Sequence, residues 1–101
     1  MLKNFRTFQL ALSFYRETKK LSLRGEIKDQ LERASLSILL NLAEGSGKES
    51  KKDRRRFYSM AFCSIREVQA IMLILENEKL TQEIDQIAAS CYKLLHCTPL
   101  S

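Results

Sequence analysis

Ninety-eight residues of this chain precede its single proline, Pro99, and only three of them are glycine: Gly25, Gly45 and Gly47. Strands and tight turns need Gly and Pro as punctuation, and helices commonly end at glycine. A chain so poor in both can form little except a few long helices, cut near residues 25 and 45–47. The residues between those cuts are rich in Leu, Ala, Glu, Lys, Arg and Gln, all good helix formers. With 101 residues, no internal repeat and no linker composition, they predict one all-α domain over residues 1–101.

Apolar spacing places four helices. The first runs over about residues 4–20, with Phe5, Phe8, Leu12 and Tyr15 as its stripe and Ala11 and Phe14 widening it. The second covers about 26–44 on Ile27, Leu31, Ala34, Ile38 and Leu42. From Leu36 onward Leu39, Leu40 and Ala43 make it apolar on the opposite face too, which predicts burial all round and therefore a subunit interface. One polar stripe interrupts it: Arg33, Ser37, Asn41 and Glu44, for which Ser64 and Glu67 on the next helix are the natural partners. The third helix is expected over 51–78, opened by Ser50 and Asp53 as a variant capping box. Its apolar arc, from Phe57 through Ile65 to Leu75, again spans about half the circumference, and Lys52, Arg55, Arg56, Ser59, Cys63 and Arg66 lie opposite. The fourth is expected over 82–96 with Thr81 as its N-cap. On these bounds the third helix is roughly 42 Å long against roughly 28 Å for the second, so its basic start should overhang.

The stretch Gly45-Ser46-Gly47-Lys48 invites comparison with a phosphate-binding loop. That motif requires a glycine at position 42, a Ser or Thr at 49 and a preceding strand, whereas Leu42, Glu49 and a helix stand there. A helix end marked by glycine is the better reading.

Net charge is +5, unevenly placed. Residues 1–25 hold six basic and one acidic residue, and residues 45–56 six basic and two acidic. A helix N-terminus carries partial positive charge, so each cation near it costs about 0.3–1 kcal/mol at low salt. Folding alone does not ask for Lys48, Lys51, Lys52, Arg54, Arg55 and Arg56 there, whereas a phosphate would meet both cations and free backbone amides. These six are the expected nucleic-acid contacts, with Arg16, Lys19, Lys20 and Arg24 as the second basic segment.

Other classes are disfavoured. The longest uncharged run in the middle of the chain has ten residues, too few to cross a membrane. The N-terminus lacks a cleavage site, and Cys63, Cys91 and Cys97 show no Cys-x-x-Cys spacing, as in a reducing cytoplasm. His96 and Cys97 alone make poor metal ligands, and no cofactor motif appears. With one histidine and no nucleophile beside a base, catalysis is not expected.

The segments "RASLSILLNLAEGSGKES" and "RRFYSMAFCSIREVQ" carry a pattern S-I-x-x-N-x-A-E-G followed by F-x-x-x-A-x-x-S-x-x-E. It resembles the signature of small bacterial four-helix-bundle proteins encoded within intervening sequences of large-subunit ribosomal RNA genes. Matching positions include Arg33, Ala34, Ser37, Ile38, Asn41, Ala43, Glu44, Gly45, Gly47, Ser50, Phe57, Ala61, Ser64 and Glu67. Phe8 stands where the family often has Trp, and Cys63 where it has Gly. The resemblance implies an antiparallel up-and-down four-helix bundle that assembles as a homopentamer and has a nucleic-acid or ribonucleoprotein role. A related branch, accessory proteins of diversity-generating retroelements, implies an alternative: a scaffold whose basic rim recruits a reverse transcriptase or another acidic partner.

Overall fold

The computed structural model describes residues 2–96; Cys97 and Pro99 lie outside the described residues. After a short 3₁₀ turn at Leu2–Asn4 come four helices: α1 (Arg6–Thr18), α2 (Gly25–Ser46), α3 (Lys51–Leu75) and α4 (Glu78–His96). Among the described residues there is no strand.

The deepest stripe of α1 is Thr7, Ala11, Phe14 and Thr18, spaced i, i+4, i+7, i+11, while the expected Phe5, Phe8, Leu12 and Tyr15 pack half-buried at its edges. Two threonines can occupy the core because their hydroxyls are satisfied. Thr7 Oγ1 lies 2.6 Å from Ser90 Oγ, and Thr18 Oγ1 donates to Tyr15 O at 2.7 Å. Gly25 then opens α2 at φ +64°, a left-handed conformation that side chains disfavour.

Gly45 does not stop α2, contrary to the expectation from sequence. The helix runs on to Ser46 with Gly45 buried inside it. A Cβ there would sit 2.7 and 2.9 Å from the Tyr58 ring and 3.1 Å from Phe57 Cβ, so this glycine serves close approach of α2 and α3. The helix end is Gly47, whose N–H donates to Glu44 O.

α3 starts as expected, with Ser50 Oγ accepting from the Asp53 N–H at 3.1 Å. It ends at Leu75 rather than near residue 78, because Glu76 turns left-handed (φ 55°) and Asn77 N–H closes back onto Met72 O. The cap of α4 is Asn77, whose Oδ1 accepts from the Leu80 N–H at 3.0 Å. Thr81 is therefore one turn inside α4, its hydroxyl donating to Asn77 O, and α4 begins at Glu78 rather than 82. With 25 residues against 22, α3 is longer than α2 by only about 4–5 Å, rather than the roughly 14 Å expected from the sequence.

All four helices contribute to one core, in which Phe14, Leu31, Ile38, Leu42, Ile65, Met72, Ile84 and Ile87 are fully buried. α3 has α2 on one flank, where Arg33 meets Glu67 and Ser37 meets Ser64. On its other flank is α4, where Gln69 meets Asp85 and Tyr58 O accepts from the Cys91 thiol. Two flanking helices explain the wide apolar arc of α3 without any second subunit. Among the described residues α3 is long and apolar enough to span a bilayer, yet Tyr58, Ala61, Ile65, Val68, Ile71 and Met72 on it are core residues.

Candidate functional site

One end of the molecule gathers the chain start, the α2–α3 turn and the first turns of α3. Leu2, Asn4 and Phe5 face Ser46, Gly47 and Tyr58 across a shallow hollow, and the Phe5 and Tyr58 rings lie 6.1 Å apart. The six expected cations differ in what they do there. Arg54 turns inward: its Nη1 donates to Lys48 O at 3.2 Å and Glu49 O at 2.6 Å, closing the turn. Lys48 pairs with Glu44 at 3.1 Å and lies over the Phe57 ring, and Arg56 approaches the same ring at 5.1 Å. Lys51 is half-buried at the first turn. Lys52 and Arg55 are exposed and enter no ion pair among the described residues. The charges left for an anion thus centre on Lys52, Arg55 and Arg56.

The second basic segment is offset in part, at Lys19 and Lys20, while Arg16 and Arg24 enter no ion pair among the described residues. Lys20 and Lys79 both reach Glu17, at 2.9 and 3.3 Å, and Lys19 pairs with Glu32 at 3.2 Å. The hydrogen bonds from Lys20 and Lys79 hold the Glu17 carboxyl below its ordinary range. Lys19 is raised by contact with Tyr15 and then Glu32.

The polar stripe forms a seam along α2 and α3. Arg33 Nη2 donates to Glu67 Oε2 at 3.0 Å and also to Gln30 Oε1. Asn41 Nδ2 donates to Ser37 O at 2.9 Å and Ser37 Oγ at 3.1 Å, and Ser64 Oγ donates to Ser37 Oγ at 2.9 Å. Glu44 leaves the seam for Lys48. Leu36 and Leu40 stand exposed beside it, Leu40 at 59 %, as does Met60 on α3. The second half of α2 is therefore not buried all round within one chain.

Sequence reading missed a group on the opposite flank of α3. Arg66 lies over the Phe62 ring (6.0 Å), Phe62 faces Tyr92 (6.4 Å) and Tyr92 packs on His96 (4.1 Å). Tyr92 is 52 % exposed. The spacing Tyr92–His96, one helical turn, was the available signal. Among the described residues no group of three His, Cys, Asp or Glu side chains could hold a metal, and His96–Cys97 lies partly outside them. The family model described as 23S rRNA-intervening sequence protein matches residues 5–97. No curated protein and no solved structure matches.

Proposed function

The chain belongs to the 23S rRNA-intervening sequence protein family, and on that premise we propose that it is a non-catalytic, cytoplasmic nucleic-acid-binding protein of a ribonucleoprotein. It holds the phosphate backbone with Lys52, Arg55 and Arg56, with Lys48 and Lys51 at the margin. The observation that carries this reading is the difference between the two basic segments. In one, Lys19 and Lys20 have carboxylates beside them and, among the described residues, Arg16 and Arg24 enter no ion pair; in the other, Lys52, Arg55 and Arg56 enter none and crowd within five residues at a helix N-terminus, where cations are locally unfavourable. We further propose an antiparallel up-and-down bundle, supported by the helix pairings Arg33–Glu67, Ser37–Ser64 and Thr7–Ser90. Its homo-oligomer, a pentamer by the family resemblance, would cover Leu36, Leu40 and Met60 and repeat the basic end around a ring.

A salt series tests this. If each bound duplex touches the protein through about five phosphates, log affinity falls with log salt at a slope near −4.5. Changing Lys52, Arg55 and Arg56 together to Gln should flatten the slope by roughly 2–3 and weaken binding to unrelated sequences alike, because phosphate contacts carry no sequence information. Unchanged affinity in the triple variant refutes the assignment. Absence of binding by the wild type at low salt would favour a protein scaffold instead, for which the exposed Leu73 and Ile74 (69 % and 70 %) at the end of α3 supply a surface.

A further inference from the structure

The groove between α3 and α4 holds what a phosphate-only surface does not need. Arg55, Ser59, Phe62 and Arg66 follow one another at i, i+4, i+7 and i+11, so they share a stripe of α3 about 16 Å long. The stripe begins in the cationic first turns and ends at Arg66. Across from it, Tyr92 and His96 stand one turn apart on α4. The contacts are sequential: Arg66 guanidinium to Phe62 at 6.0 Å, Phe62 to Tyr92 at 6.4 Å, Tyr92 to His96 at 4.1 Å with their planes inclined by 39°.

Phe62 packs on the edge of the core, but core packing does not explain the exposed Tyr92 and His96 beyond it. Tyr92 is half-exposed, while its neighbours Cys91 and Leu95 enter the core with Leu80, Ile84 and Ile87. An exposed aromatic ring is a sequence-tolerant platform for an unpaired base, and flanking guanidinium groups add phosphate and π contacts. Beyond Arg66 the groove meets Asp85, which Gln69 holds at 2.9 Å, and an anion has no reason to continue past it. Cations at one end, rings in the middle and a carboxylate beyond give the groove a direction.

We infer that the α3–α4 groove binds single-stranded nucleic acid, one unpaired base stacking on Tyr92 while the adjoining phosphates meet Arg55 and Arg66. This rests on the nucleic-acid reading above and adds the strandedness of the ligand. The occupant follows from the chemistry: duplex bases are already stacked and offer no face to Tyr92, and an acidic peptide would have no use for the rings.

The test uses fluorescence anisotropy with a 20-residue thymidine strand, a 20-residue uridine strand and a 20-base-pair DNA duplex, across a salt series. Tyr92→Leu should weaken both single strands by roughly 5- to 150-fold, the range for loss of one stacked base. Its salt slope should match that of the wild type, because the phosphate contacts remain, and duplex affinity should not change. Tyr92→Phe should restore single-strand binding. If Tyr92→Leu binds the strands like the wild type while the Lys52, Arg55 and Arg56 variant loses duplex, the phosphate surface stands and this inference falls. If the wild type binds none of the three probes, both fall. A change in oligomeric mass on Tyr92→Leu with single-strand affinity intact would assign the groove to subunit contact and overturn the inference.

Discussion

Replacing Gly45 by Ala sets two effects of known size against each other, so the sign of the result is informative. In an unconstrained helix interior, Gly→Ala stabilises by about 0.5–1 kcal/mol through helix propensity and the entropy of the unfolded chain. At Gly45 the new methyl would lie 2.7 Å from Tyr58 Cε1, 2.9 Å from Cδ1 and 3.1 Å from Phe57 Cβ. Those are ring and Cβ atoms near the backbone, and Tyr58 is buried against Phe5, so neither neighbour can swing clear as a flexible chain end would. Overpacking of one methyl in such a setting costs about 1–3 kcal/mol. The net expectation is destabilisation by about 0.5–2 kcal/mol, a fall in melting temperature of about 2–15 °C for a domain of this size. Urea unfolding at fixed protein concentration, followed by helical circular dichroism, measures it. Gly47→Ala is the control: nothing lies closer than 3.6 Å and φ is −90°, so its effect should stay within about 0.5 kcal/mol. A Gly45→Ala protein more stable than the wild type would refute the close-approach role and return Gly45 to an ordinary helix position.

Ser35 is 2 % exposed and its hydroxyl has no partner among the described residues, so Ser35→Ala should raise stability by about 1 kcal/mol in the same urea titration, and a loss would show that the hydroxyl is satisfied by water. Burial pushes the Cys91 thiol up to about 12, so the folded chain keeps a proton that the unfolded chain releases near pH 9. Stability from this group is therefore complete below about pH 9 and lost as pH rises toward 12. At pH 8 a thiol reagent should label exposed Cys63 in the dissociated chain and spare Cys91 until denaturant is added, and equal labelling rates by peptide mapping would contradict the packing.

Helix number and the core stripe of α2 were legible because both are written in local periodicity. Leu31, Ala34, Ile38 and Leu42 recur at three and four residues, and that spacing alone sets their face. Ser64 and Glu67 were expected opposite the polar stripe of α2, where they meet Ser37 and the exposed Arg33, while Asn41 bonds back to Ser37 on its own helix. What misled was any signal with two physical meanings. Glycine near a helix end serves a left-handed stop or a close approach, and only the position of Tyr58 separates them at Gly45. Asn77 and Thr81 both suit an N-cap, and the left-handed Glu76 selected Asn77. The α1 stripe was misplaced by one residue because aromatic rings outweigh threonine in any hydrophobic count, although a threonine with its hydroxyl bonded packs as well as valine. The ring file at Phe62, Tyr92 and His96 needs two helices to exist, so no periodicity within one helix could show it.

Charge is where fold and function separate most clearly in this chain. Both basic segments have similar composition, and sequence alone gives each an equal claim to an anion. The fold treats them differently. Glu17 sits between Lys20 and Lys79, and Glu32 meets Lys19, so two of the four cations around the α1–α2 turn are offset within the chain. At the start of α3 Glu44 reaches across to Lys48, and Asp53 donates its backbone N–H to Ser50. Arg54 is occupied by the turn carbonyls, which supply no full negative charge. Lys52, Arg55 and Arg56 therefore repel one another and the helix dipole at once. Removing any one of them should relieve the free protein slightly and weaken the complex. A gain in stability accompanied by a loss in affinity is the signature that distinguishes charge kept for a ligand from charge kept for solubility.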